Sequence, residues 1–289
     1  VVMSMKSILA PIDGTATSNG VLQAAFVLAG AFKAHVNALH VRPDPKAAVP
    51  LLGEGMSGAM IEDMISMAEK EGNEQRQKAR TLYQDMLAKH DVSESDMPLA
   101  GVDMSASWVD DQGREDEVIA HHGRLADLIL VSKPQQDNEV YTTLALNAAL
   151  FETGRPMLLL PPSSMTAFPQ VVTICWNGSM EGARAVAAAL PFIKMAKTVH
   201  IITADTSSTD GPVGENLAKY LRWHGVETES VFFSPAGKTV GLALLSESKK
   251  LGAELMVMGG YTHSRMRELI LGGATRDVIE NADIPVVMG

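Results

Sequence analysis

Two stretches of this chain follow one plan. "KSILAPIDGTATSNGVLQAAFVLA", from Lys6, lies against "QVVTICWNGSMEGARAVAAALPFI", from Gln170. "GRLADLILVS" likewise matches "KKLGAELMVMG", and "ETGRPMLLLPP" matches "ENADIPVVMG". A repeat on this scale constrains the fold more tightly than composition does, because each copy must form its own set of elements. In each copy short apolar runs alternate with longer segments of helical period, which is the pattern of a parallel sheet covered by helices. The strands expected in the first half are 7–12, 35–41, 99–103, 127–132 and 157–160. In the second half they are 171–176, 199–204, 228–233, 254–258 and 285–288. The segment "PPSSMTAFPQ" reads as the linker, so domains are expected at 1–162 and 168–289.

The halves are unequal. Between its second and third strands the first carries "PDPKAAVPLLGEGMSGAMIEDMISMAEKEGNEQRQKARTLYQDMLAKH". Residues 43–58 read as a loop. Met60, Met64 and Met67 then recur at helical spacing, as core filler, an interface or a lid.

Composition removes several function classes. With 46% hydrophobic and 20% charged residues a packed core is expected. A net charge of −10 argues against a general nucleic-acid or anionic-membrane surface. No apolar run is long enough to span a bilayer, and the start lacks the pattern of a secretory signal, so a cytoplasmic location is expected. Cys175, the single cysteine, lies in the apolar run "VVTICW" and reads as a core residue. His121 and His122 are adjacent on a helix and diverge, and no His/Cys/acid spacing suits a metal, so none is expected.

The stretches "SILAPIDG", "VNALHV", "WNGSMEGARAVAAALP" and "GAELMVMGGYTHSRMRELILGGATRDVIENADIPVVM" resemble those of tandem universal stress proteins, over essentially the whole chain. The resemblance implies two Rossmann-like domains of the adenine nucleotide alpha hydrolase-like type. Each would have a five-stranded parallel sheet of order 3-2-1-4-5 flanked by helices. It also implies a pseudo-dimer within the chain through the last strands, with a homodimer beyond that left open. Nucleotide-binding members carry G-x-x-G, nine residues, then G and Ser or Thr. Here Gly259 takes the first glycine's place and Gly272 the third's, while Thr262 stands at the second and Gly273 at the hydroxyl position, with Thr275 two residues on. Such glycines let backbone N–H groups and a helix start approach phosphate. A β-branched residue forced into the left-handed region costs about 1–2 kcal/mol, so Thr262 weakens the cradle. Asn177, Ala204 and Met258 complete the expected site, with Asn177 and Ala204 at the positions that face adenine. His263, Arg265, Arg267 and Arg276 lie in or near the loop and read as surface groups or as phosphate contacts. The first half keeps Asp13 and Val41 at the adenine positions, yet "SKPQQDNEVYTTLALNAALFETG" has no glycine where its phosphate loop should lie. Asp13 itself reads as a turn or helix cap.

No G-x-x-x-x-G-K-[ST] loop and no G-x-S-x-G turn occurs, so no catalytic residue is expected. The expectation is a non-enzymatic stress-response protein whose second domain holds ATP or AMP weakly. The alternative is a ligand-free module that binds a protein partner, and a slow ATPase ranks last.

Overall fold

The structure, a computed structural model, describes residues 5–44, 57–98, 101–134, 139–163, 165–206, 213–260 and 273–289. Contacts divide the chain into two compact units, Lys6–Gly154 and Arg155–Gly289, the latter joined by Met5. In the first, β1 (Ser7–Pro11), α1 (Ala16–Phe32), β2 (His35–Arg42) and α2 (Gly58–His90) come in order. They are followed by β3 (Ser105–Gln112), α3 (Glu115–Gly123), β4 (Leu128–Ser132) and α4 (Glu139–Phe151). The second unit holds β5 (Met157–Leu160), β6 (Val171–Cys175), α5 (Met180–Met195), β7 (Thr198–Ala204) and α6 (Gly214–Trp223). It ends with β8 (Glu229–Phe233), α7 (Val240–Lys250), β9 (Leu255–Met258), α8 (Gly273–Asn281) and β10 (Val286–Met288).

Counted within its own half, each set of strands runs 3-2-1-4-5, as the resemblance implies. β1 pairs in parallel with β2 and β4, and β2 with β3. β6 pairs in parallel with β7 and β9, and β7 with β8. β10 runs parallel to β9 but antiparallel to β5, with Val287 opposite Leu158. The last strands of the two halves therefore pair inside one chain, within the second unit, and β10 has neighbours on both sides. This pairing is also why β5 clusters with the second unit. The repeat boundary of 1–162 and 168–289 is a statement about descent and remains a proposal.

The inner strands are buried on both faces and accordingly read as unbroken apolar runs: Leu128, Ile129, Leu130 and Val131 in β4, Leu255 to Met258 in β9. The third strand corrects one expectation. It is not 99–103 but Ser105–Gln112, "SASWVDDQ", a polar sequence. As the outermost strand of its half it needs no apolar outer neighbour. Its carboxylate Asp110 is instead held by Arg42 at 3.0 Å and Arg76 at 2.7 Å.

α2 is anchored only near its carboxyl end, where Ala79, Tyr83 and Met86 are its buried residues. The Tyr83 ring lies 5.7 Å from that of Trp108, and the Arg80 guanidinium sits 5.2 Å from both ring centres. The Tyr83 hydroxyl is buried without a hydrogen-bond partner among the described residues. Tyr83→Phe should therefore keep or raise stability by up to ~1 kcal/mol in urea denaturation, since it removes an unpaired polar atom and keeps the ring.

Candidate functional site

The carboxyl ends of the strands are where ligands sit in this topology. In the second unit β6, β7 and β9 end there around a cleft of about 510 Å³. The Asn177–Ser179 turn follows β6. Gly178 has φ +77°, which suits glycine, and Ser179 caps α5 by accepting from the Gly182 N–H at 3.1 Å. Asn177 Oδ1 accepts from the Ser179 N–H at 3.1 Å, so one of its two lone pairs serves the turn. The first half builds the same turn from Asp13, Gly14 (φ +81°) and Thr15, with the Thr15 N–H on Asp13 Oδ1 at 2.9 Å.

The cleft gathers Asn177, Ala204, Met258, Gly259, Gly273 and Thr275, all expected from the sequence. Thr262 and Gly272, with His263, Arg265 and Arg267, lie outside the described residues. Gly259 touches the start of α5: a Cβ there would lie 2.7 Å from Gly182 N and 2.8 Å from the Glu181 carbonyl carbon. Gly273 opens α8 and is exposed, whereas Thr275 is buried. Arg276 points to Glu280 at 2.7 Å on an exposed face, the usual i,i+4 pair. It does not line the cleft.

Sequence reasoning missed Glu181 and Asp277. Glu181 is buried in the first turn of α5, where an acid suits the helix dipole, and bridges to Arg184 at 3.1 Å. Asp277 Oδ2 is buried with no hydrogen-bond partner among the described residues. A first-turn acid after the capping turn was the only signal for Glu181; Asp277 had none. Cys175 also lines the cleft, and burial pushes its thiol well up, which leaves it protonated and unreactive.

The first half differs at the equivalent place. Asp13 Oδ1 accepts from the Thr15 N–H, the Thr15 hydroxyl and the Ser18 hydroxyl, at 2.7–2.9 Å, so it serves the turn. The α2 backbone lies over that turn, with Gln75 O only 2.6 Å from where a Cβ on Gly14 would be. Glu115 and Tyr141 come together beside it. Burial, with Asp13 nearby, pushes the Glu115 carboxyl up to about 9, and burial raises the Tyr141 phenol too. At neutral pH burial thus holds the Glu115 carboxyl protonated beside the Asp13 turn.

The comparisons with known proteins bear on this fold. Residues 5–131 match the Universal stress protein family. That match covers the larger part of the first unit, Lys6–Gly154. A universal stress protein from Archaeoglobus fulgidus has the same fold over 99% of this chain and 96% of its own, at 17% identity and a TM-score of 0.65. A functionally unknown Pseudomonas aeruginosa protein matches over 98% and 92%, at 15% identity and a TM-score of 0.57. At these identities the likeness is one of fold. No curated protein sequence matches the chain.

No group of three or more His, Cys, Asp or Glu suited to a metal occurs among the described residues. His122 pairs with Asp111 at 3.0 Å, and the His121 and His122 rings meet edge to face. No described helix is long and apolar enough to cross a membrane.

Proposed function

We propose that this chain is a non-enzymatic stress-response protein whose second half holds an adenine nucleotide weakly. The observation that carries the reading is the cleft itself: Asn177, Ala204, Gly259, Gly273 and Thr275 meet at the carboxyl ends of β6, β7 and β9. The Asn177 Nδ2 donor would meet an adenine acceptor, Ala204 and Met258 would give an apolar wall, and the start of α8 would face phosphate. Affinity is held down by Glu181 and Asp277, two carboxylates in the same lining. Thr262 acts in the same direction on the sequence argument.

Isothermal calorimetry with AMP and ATP tests this. Heat is expected with wild type, and Thr262→Gly should tighten binding about tenfold, the equivalent of ~1.4 kcal/mol. Absence of heat with both proteins and both nucleotides would reject the nucleotide reading. The acidic lining favours a second reading, a ligand-free interaction module, which that result would leave standing.

A further inference from the structure

One oxygen in the cleft has no partner. Asp277 Oδ2 is buried and accepts no hydrogen bond among the described residues, yet the residue lines the cleft of the second unit. Leaving a buried carboxylate oxygen unpaired is costly, so this atom calls for a donor. The cations nearby are committed elsewhere: Arg276 to Glu280, Lys249 to Asp283 and Lys250 to Glu247. The hydroxyls of Thr239 and Thr275, in the same lining, do not reach it either. The carboxylate is walled in as well. Gly241, in the first turn of α7, lies so near that a Cβ there would be 2.5 Å from Asp277 Cβ and 3.0 Å from Oδ2. Glu181, the other acid of the lining, differs in having Arg184 at 3.1 Å.

The place of Asp277 says which donor fits. It stands four residues after Gly273, on the same face of α8 and about 6 Å further along the axis. Both residues line the cleft. Side chains on a helix lean towards its amino end, so the carboxylate reaches back towards the helix start that would face phosphate. An adenine nucleotide carries donors on the base amine and on the ribose hydroxyls. The base belongs with Asn177 and Ala204, at the ends of β6 and β7. The phosphate brings only negative charge, which Asp277 repels. The ribose lies between the two and offers its hydroxyls, and an O–H···O⁻ bond is among the stronger hydrogen bonds. Dinucleotide sites on open α/β sheets also hold a ribose hydroxyl with a carboxylate. One carboxylate that holds the sugar and repels the phosphate is in keeping with weak binding.

We propose, on the nucleotide reading above, that Asp277 accepts a hydrogen bond from a ribose hydroxyl of the ligand and makes the cleft selective for ribonucleotides. Calorimetry on the full chain compares AMP with its 2′-deoxy and 3′-deoxy forms, for wild type and Asp277→Ala. Wild type should bind AMP at least about tenfold more tightly than one of the deoxy forms, because that analogue leaves a desolvated carboxylate unpaired. In Asp277→Ala the ratio should fall to about one. Asp277→Asn keeps the shape and should shrink the ratio without abolishing it, since an amide oxygen is an uncharged and weaker acceptor. Urea denaturation checks that both variants fold. A residue that only supported the fold would weaken all three ligands together and leave the ratio intact, and that result would overturn the proposal. Equal affinity of wild type for all three ligands would overturn it too, while the nucleotide reading stood. No heat with AMP would remove both.

Discussion

Glu115→Gln is expected to stabilise the protein at neutral pH and to flatten its stability–pH profile. Glu115 opens α3 in an acidic first turn with Asp116 and Glu117, a place where a helix dipole favours negative charge. Burial outweighs that effect, with the charges of Asp13 and Asp116 adding to it, and the carboxyl is pushed up to about 9. Its Oε1 is buried and unpaired among the described residues. The sign follows from proton binding. Below the unfolded value of 4.5 both states are protonated and Glu115 contributes nothing to pH dependence. Above it the unfolded chain ionises while the folded one holds its proton, so stability falls until the pH passes about 9. At pH 7 this amounts to about 3 kcal/mol, at 1.36 kcal/mol per unit. Glutamine has nearly the same shape and no proton to lose. Urea denaturation of both proteins from about pH 5 to 9 should show curves that diverge as pH rises, the variant being the more stable. Parallel curves would mean that Glu115 is ionised in the folded state, and the picture of a closed, protonated corner in the first half would be lost.

That corner was not legible in the sequence, whereas the sheet was. β4, "LILVS", and β9, "LMVM", are buried strands whose apolar runs announce them, and the repeat doubled the confidence that any one run could carry. The turn after each first strand was legible too, because "DGT" and "NGS" combine a side-chain acceptor, a glycine and a capping hydroxyl. β3 was misplaced because an outermost strand carries no apolar signature, and "SASWVDDQ" is held by arginines that lie 34 and 68 residues from Asp110. The acceptor on Asn177 looked wholly available to a ligand in the sequence, and only the geometry reveals that the turn shares it. Asp277 enters the cleft through the way α8 packs on α7, a tertiary fact with no local signal. Glu115 and Tyr141 meet for the same kind of reason, each being ordinary in its own helix.

Gly259→Ala should cost about 2–3 kcal/mol of stability with no ligand present. The sequence suggests that Gly259 lets the backbone approach phosphate, and the structure supplies a second demand. β9 lies between β6 and β10, so its end cannot move without disturbing both. The new Cβ would meet Gly182 N at 2.7 Å and the Glu181 carbonyl carbon at 2.8 Å, closer than real Cβ contacts come. Those atoms are backbone in the first turn of α5, so no rotamer change relieves the clash; the helix start must shift, and with it the Ser179 cap. Gly273 is the natural control. A Cβ there meets nothing within 4 Å, and the residue opens α8, so Gly273→Ala should be neutral or stabilise by ~0.5–1 kcal/mol. Urea denaturation of the two apo variants separates the roles. A Gly259→Ala protein as stable as wild type would show that the close approach to α5 is not felt, leaving ligand contact as the reason for a glycine at that position. A destabilised one makes packing sufficient to require it, whatever the cleft holds.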